Sequence, residues 1–453
     1  MKVLIVGIGK LGYQLAEAFS QKGNDVIAMD RDREALQRAE EHMDVLTILH
    51  NGFEIEALKQ AHIKDLDLTI AVTDDDETNI LIAFVAKRLG TKKVIARVRN
   101  PEYDRQAEFL RTEMDIDRII NPDLATAREI FRYLTGGLPF HTEVFEASGV
   151  MMADIHAGTL AGIVQKPIRD LGTPRNLLIA AIVRDGKVVI PHGQTVIEAD
   201  DTLYLLGSSE TIRSFHASHA EEGPQKPVES VTILGGGRLA YYLSISLLTK
   251  GMSVRIIEID KARCQYLAER LGNALIIHGD ATDINLLREE GAFDSDAVVS
   301  VTGFDEENLL IGLMCKQSGA KRVIAKVSRP GYVPVIEKFG IDMAVNPVLI
   351  TAADIIRYVQ GGNIRSLTMI AGGKAELTEL VIQPGAYVLE DTLEKLNLPQ
   401  GIIVGTVFRD GAVIIPDGSM KLEVGDKVLV FAAQADRLKV DKLFNPRKKG
   451  LFK

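Results

Sequence analysis

The feature that most constrains this chain is that it is written twice. The apolar run "KVLIV" leads into "GIGKLG" at residues 7–12, and "SVTIL" leads into "GGGRLA" at residues 235–240. Aligning Gly7 with Gly235 carries "VIAMDRD" (26–32) onto "VRIIEID" (254–260), so Asp30 falls on Glu258 and Asp32 on Asp260. After a one-residue shift, "AVTDDDETNILIA" falls on "SVTGFDEENLLIG" and "KKVIARV" on "KRVIAKV", which pairs Thr73 with Thr302, Asn79 with Asn308 and Arg97 with Lys326. After a four-residue contraction, "NPDLATAREIFRYLTGG" (121–137) matches "NPVLITAADIIRYVQGG" (346–362), and "RDGKVVIP" (184–191) matches "RDGAVIIP" (409–416). Chance does not hold register over such a length. The 453 residues are a tandem repeat with a unit of roughly 225, joined by the polar, proline-containing "HASHAEEGPQKPVES" (216–230). At about 100 to 200 residues per domain the chain holds two to four domains with ample core.

Within each half, short Val/Ile-rich runs alternate with helix-period stretches. The first copy offers the strands "VLIV", "DVIAMD", "VLTILH", "LTIAV" and "VIARV". The helix after the first strand sets Leu11, Leu15, Ala18 and Phe19 on one face, fit to lie on a sheet. This alternation predicts an α/β fold with a doubly wound parallel sheet, that is, a Rossmann-like domain. The "NP" helix, ended by a double glycine, then leaves the sheet for text of another kind, with short β-runs around "RDG" turns that read as hairpins. The expected organisation is two Rossmann-like domains at residues 1–123 and 230–348, each followed by a small α+β module, at residues 140–222 and 366–450.

A glycine triplet alone is weak evidence, but its context here suits a dinucleotide. Gly7 permits a tight turn after the strand, Gly9 removes the side chain where phosphate must approach backbone, and Gly12 allows close helix packing. The amino end of the helix then faces the pyrophosphate. Asp30, ending the second strand, can accept hydrogen bonds from the hydroxyls of an adenosine ribose. In the second copy Gly235, Gly237, the permitted Ala240 and Glu258 fill the same roles. Thr73–Asp74 and Thr302–Gly303 follow the fourth strands, at the carboxyl edge where such sheets bind ligands. Arg97 and Lys326 end the fifth strands and either meet phosphate or form ordinary salt bridges. Lys10 and Arg238 occupy one place in the two loops and either sense a terminal phosphate or face solvent. Asn79 and Asn308 read as helix caps rather than ligand contacts.

The remaining text excludes several function classes. A net charge of −9 argues against a protein whose main partner is nucleic acid. The terminal "NPRKKGLFK" is either a solvated tail or a contact for an acidic surface or lipid head groups. Cys264 and Cys315 read as buried, reduced thiols rather than a disulfide framework or a metal site. The longest apolar run, "LLIAAIV", is strand-sized, and the start of the chain passes straight into a glycine loop, so the chain is expected to be soluble and cytoplasmic. A nicotinamide enzyme needs an acid, base or metal presented to its substrate. No Tyr-x-x-x-Lys pair, HExxH, Cys/His cluster or GKS/T loop occurs, and His141, His156, His192 and His216 have no matching partners in the second copy. Occupancy by a nucleotide, without turnover, is the expected output, and no catalytic residue is expected.

The order of glycine loop, Asp30, "AVTDDDETN", "VIARVRNPEY", "NP" helix and small α+β module, repeated once, resembles the tandem RCK (KTN) plus RCK-C family of Trk-type potassium-uptake regulators. The resemblance covers nearly the whole chain. It implies a homotetrameric ring on the cytoplasmic face of a membrane-embedded potassium-translocating subunit, gated by NAD(H) or ATP/ADP in the Rossmann clefts. Carried over by position, the first cleft is Gly7, Ile8, Gly9, Lys10 and Leu11 with Asp30, Thr73, Asp74 and Arg97, the loop closing on Gly12. The second is Gly235, Gly236, Gly237, Arg238 and Leu239 with Glu258, Thr302, Gly303 and Lys326, the loop closing on Ala240. The chain departs from the family at Gly52, in "LHNGF", where the second copy reads "HGDAT". A nicotinamide-dependent oxidoreductase and a regulator of another cation channel or exchanger remain as alternatives, since fold alone does not choose a partner.

Overall fold

The computed structural model describes all residues except 105, 137–140, 146–149, 175, 220–226, 333–338, 361–363, 371–372 and 447–453. The middle of the linker, the end of the basic tail, and the expected boundaries at 140, 222 and 450 therefore lie outside the described residues.

The first copy runs Lys2–Val6 (β1), Lys10–Gln21 (α1), Asp25–Asp30 (β2), Arg33–His42 (α2), Leu46–Leu49 (β3), Ile55–Gln60 (α3), Leu68–Ala71 (β4), Asp76–Leu89 (α4), Lys93–Arg97 (β5), Pro101–Asp104 (α5), Ala107–Glu113 (α6) and Arg118–Ile120 (β6). All its strands pair in parallel in the order β3-β2-β1-β4-β5-β6, the order in which a dinucleotide crevice opens where the winding reverses, between β1 and β4. β1 and β4 are covered on both faces and fully buried except at Lys2, which is why they read as unbroken apolar runs. The sixth strand lies outside the five-strand expectation. Its three residues are too short to show a period, and its register is set by pairing with β5.

After the helix Pro122–Thr135 (α7), His141–Phe145 (β7), Val150–His156 (β8), Leu177–Arg184 (β9), Lys187–Val189 (β10) and Thr202–Ser208 (β11) form an antiparallel sheet, closed by Ser209–His219 (α8). The expected "RDG" hairpin joins β9 to β10, with Asp185 and Gly186 both left-handed at φ 50° and 69°. The second copy repeats the plan: Ser230–Leu234 (β12), Arg238–Thr249 (α9), Ser253–Glu258 (β13), Lys261–Arg270 (α10), Leu275–His278 (β14), Ile284–Glu289 (α11), Ala297–Ser300 (β15), Asp305–Gln317 (α12), Val323–Lys326 (β16) and Met343–Val345 (β17) give the parallel order β14-β13-β12-β15-β16-β17. Pro347–Gln360 (α13) then leads to Ile364–Ile370 (β18), Ala375–Val381 (β19), Ile402–Arg409 (β20), Ala412–Ile414 (β21), Lys427–Ala433 (β22) and Arg437–Phe444 (α14).

The repeats interlock in a way their sequence does not announce. α7 of the first copy packs on α9 of the second, burying Ala127, Ile130, Tyr133 and Leu134 among Leu239, Tyr242, Leu243 and Leu247. Reciprocally, α13 packs on α1, with Ala352, Ile355, Ile356 and Val359 among Leu11, Leu15, Ala18 and Phe19. The two small sheets share a further core through Phe145, Met152, Tyr204, Leu377, Leu429 and Phe431. The chain is thus an intramolecular pseudo-dimer, and each nucleotide-type domain is completed by the other copy's crossover helix. Among the described residues no helix is long and apolar enough to cross a membrane, and no group of three or more His, Cys, Asp or Glu could hold a metal ion.

Candidate functional site

Each glycine loop is shaped by contacts that forbid larger residues. Gly7 turns left-handed at φ +95°, and a Cβ there would lie 2.7 Å from the Thr73 amide nitrogen. A Cβ on Gly12 would lie 1.8 Å from the Gly7 carbonyl oxygen, so this glycine lets the loop and helix close on each other. Gly9 and Gly237 have nothing within 4 Å of an added Cβ, leaving open space beside the N-cap positions of α1 and α9, where no side chain caps the helix. Uncapped amides at a helix N-terminus, beside space that a glycine keeps clear, suit an anion. Ile8, Leu11, Leu239 and Ala240 turn their side chains into the cores, so only their backbones could meet a ligand.

The acids at the ends of β2 and β13 behave alike. Asp30 accepts from the Ile8 amide (2.5 Å) and the Asp32 amide (2.9 Å), while Glu258 accepts from Gly236 (2.5 Å) and Asp260 (2.8 Å). Both carboxylates therefore sit against their loops, where an adenosine ribose would lie in this fold. After β4, the Thr73 carbonyl accepts from the Arg97 guanidinium, which also reaches the Asp74 carboxylate at 3.3 Å. In the second copy the Lys326 ammonium donates to the Thr302 carbonyl at 2.6 Å, and Gly303 faces open space. Arg97 and Lys326 thus engage their own sheet edges.

Asn79 and Asn308 are not helix caps. Asp75 caps α4 by accepting from the Thr78 amide. Asn79, fully buried one turn into the helix, accepts from the Thr73 amide (2.8 Å) and hydroxyl (2.7 Å) and donates to the Thr73 and Arg97 carbonyls (both 3.0 Å). Asn308 likewise joins Thr302 to the Lys326 carbonyl. These amides tie the tips of β4 and β5, and of β15 and β16, which hold the candidate ligand residues.

Backbone bonds fix the register of the loop after β3. The His50 amide donates to the Asp30 carbonyl as the Gly279 amide donates to Glu258, so Asn51 occupies the place of Asp280, and Gly52 follows it. Gly52 is required for a different reason: a Cβ there would lie 2.1 Å from Val6 Cγ1.

The interlocked helices bring the two clefts together. Lys10 of the first loop lies 3.6 Å from Asp305, at the start of α12 in the second copy. Asp305 accepts from the Ser328 and Arg329 amides, as Asp76 accepts from those of Arg99 and Asn100. Asp123, in the first turn of α7, feels Arg99 and Arg97 from one cleft and Lys326 and Arg238 from the other. Burial pushes its carboxyl above the usual carboxylate range despite those cations. Burial likewise lowers the pKa of Lys326, with Asp123 and Asp305 opposing, and that of Arg97, where Arg99 adds to the effect. Asp123, Arg99 and Asp305 escaped the sequence reading because their significance depends on which copy they face.

Residues 3–122 and 231–347 match the TrkA-N domain, and residues 159–219 and 377–445 match the TrkA-C domain. The chain belongs to the TrkA family. It is 36% identical over 453 residues to the Trk system potassium uptake protein TrkA homolog 1 of Methanosarcina mazei, covering 98% of this chain and 100% of that one. It is 31% identical over 456 residues to the Trk system potassium uptake protein TrkA of Haemophilus influenzae, covering 98% and 99%. Among solved structures, the GsuK channel bound to NAD shares the fold at a TM-score of 0.58 and 17% identity, covering 98% of this chain and 78% of that one. The TrkA-N matches span the two six-stranded parallel sheets, and the TrkA-C matches fall in the two small modules.

Proposed function

We propose that this TrkA-family chain is the regulatory subunit of a Trk-type potassium-uptake system, binding NAD(H), or ATP and ADP, in two clefts and gating a membrane-embedded potassium-translocating subunit allosterically. In this reading the first cleft is Gly7–Gly12, Asp30, Thr73, Asp74 and Arg97, and the second is Gly235–Ala240, Glu258, Thr302, Gly303 and Lys326. Residues 1–123 and 230–348 act as the nucleotide domains, and 140–222 and 366–450 as the small modules. The assembly is a homotetramer at the cytoplasmic face of the membrane, and the chain is a binding module rather than an enzyme.

The observation that carries the reading is the facing of the two clefts across α7. Cations from both copies, Arg97, Arg99, Arg238 and Lys326, converge on the single Asp123, and Lys10 of one loop rests near Asp305 of the other copy. A phosphate held at the first glycine loop would compete with Asp305 for Lys10, so occupancy in one copy acts on the start of α12 in the other. A ligand shifts a conformational equilibrium only by its differential affinity, and coupling of about 1 to 3 kcal/mol is typical. The open space at Gly9 and Gly237 and the uncapped helix ends fit a pyrophosphate. The names of the relatives supply the potassium-uptake context, and the NAD-bound GsuK channel supports the choice of ligand.

Isothermal titration of the purified chain with NADH and with ATP tests this. Binding without consumption of NADH absorbance is expected, with Asp30→Ala weakening the first cleft and Glu258→Ala the second. Affinity unchanged in both variants for every adenine nucleotide would remove the site assignment, and steady turnover of NADH would favour an oxidoreductase.

A further inference from the structure

The two glycine loops are anchored differently. In the first, Ile8 stands between the loop glycines, and its buried side chain pins the loop to the core under α1. In the second, three glycines run together, Gly235 to Gly237, and nothing of that kind is available. A Cβ on Gly236 would lie 2.6 Å from Leu267 Cδ1 and 3.0 Å from Glu258 Oε2, so a side chain here would have to displace both, and the glycine present brings its own backbone freedom.

That freedom is met from α10. The Arg263 Nε donates to the Gly236 carbonyl at 2.6 Å, while Glu258 accepts from the Gly236 amide at 2.5 Å, so charged side chains hold this residue at both polar ends. The guanidinium lies 4.4 Å from the centre of the Tyr266 ring, whose centre is 3.9 Å from Arg270. Arg270 in turn lies 3.6 Å from Glu102 of the first copy, just past the Arg97–Asn100 edge of the other cleft. The first copy has Ala35 and Arg38 where Arg263 and Tyr266 stand, so it cannot form this stack.

We propose that Arg263 is a positioning residue of the second nucleotide cleft: by clamping the Gly236 carbonyl it gives the triple-glycine loop the fixed shape for pyrophosphate that Ile8 gives the first. The inference rests on the reading that the second cleft binds an adenine nucleotide. A planar guanidinium that donates and stacks at once is not replaced by an ammonium.

The test is calorimetric titration of NADH and of ATP into full-length protein in which Asp30→Ala silences the first cleft, with amide hydrogen exchange on the ligand-free forms. Adding Arg263→Ala should weaken binding about tenfold or more, and Arg263→Lys should restore only part of it. In the ligand-free protein, exchange should rise over residues 234–240 and stay unchanged over residues 6–12. In a Glu258→Ala background, Arg263→Ala should leave first-cleft affinity within about twofold. If binding that Glu258→Ala abolishes is untouched by Arg263→Ala, with exchange at 234–240 unchanged, the proposal falls while the cleft assignment stands. If the Asp30→Ala protein shows no nucleotide binding that Glu258→Ala removes, the assignment of the second cleft falls and the proposal with it.

Discussion

Replacing Asn79 by Ala probes the link between fold and ligand edge. Its amide makes four hydrogen bonds, to the Thr73 amide, hydroxyl and carbonyl and to the Arg97 carbonyl, at 2.7 to 3.0 Å. At about 1 kcal/mol net for each bond, their loss removes about 4 kcal/mol, and water entering the vacated space to serve the Thr73 amide and Arg97 carbonyl would return part of it. The expected cost is therefore about 2 to 4 kcal/mol, concentrated where β4 and β5 end. Asn79→Asp should be no gentler, because it keeps the acceptor for Thr73 but loses the donor and sets a charge against two carbonyls. Native-state hydrogen exchange at Ile70 and Ile95, in the centres of these strands, reads the local stability, and titration with NADH reads the cleft. Both should weaken together, the affinity by tenfold or more. Stability within about 0.5 kcal/mol of the parent with unchanged affinity would refute the reasoning, because a mere surface substitution costs that much.

Gly12→Ala should cost about 1 to 3 kcal/mol by overpacking against the Gly7 carbonyl and weaken first-cleft binding, both readable by thermal melting and titration. Ala240→Gly at the matching position should cost only about 0.5 to 1 kcal/mol, from helix propensity. Asp296 is pushed up by burial, but the Lys321 ammonium, the Glu229 and Ser230 amides and the Ser230 hydroxyl outweigh this and hold it at about 2. Its contribution, on the order of 1 kcal/mol once solvent screening of the exposed Lys321 pair is allowed for, is present above the unfolded value near 3.8 and is lost as pH falls toward 2. Acid titration of stability should therefore be flatter in Asp296→Asn over that window. The Cys315 thiol, fully buried and pushed up to about 12, should resist alkylation at pH 8 in the folded protein and react once urea unfolds it.

The repeat, both parallel sheets, the glycine turns and the "RDG" hairpins were legible because each depends on local chemistry: period, φ sign and glycine spacing. What stayed hidden depends on which surfaces meet. The helix beginning at Pro122 announces a buried face, but its amphipathic pattern does not say that α9 of the other copy receives it. The facing of Lys10 and Asp305 and the crowding of cations around Asp123 follow from that exchange. Asn79 misled for another reason. A polar residue near a helix start is usually a cap, and only the pairing of β4 with β5 reveals two strand tips for its amide to join. The loops after β3 and β14 are equal in length, and the His50 and Gly279 backbone bonds align "LHNGF" with "HGDAT" residue for residue, which sets Asn51 opposite Asp280 and Gly52 opposite Ala281.

The account turns on nucleotide in these clefts controlling potassium movement. The direct measurement is potassium flux through vesicles holding the membrane subunit, with this chain added, across a titration of NADH and of ATP. The account predicts a flux that changes with nucleotide and loses that response in the Asp30→Ala, Glu258→Ala double variant. Flux indifferent to every adenine nucleotide, or a response that survives the double variant, would contradict it.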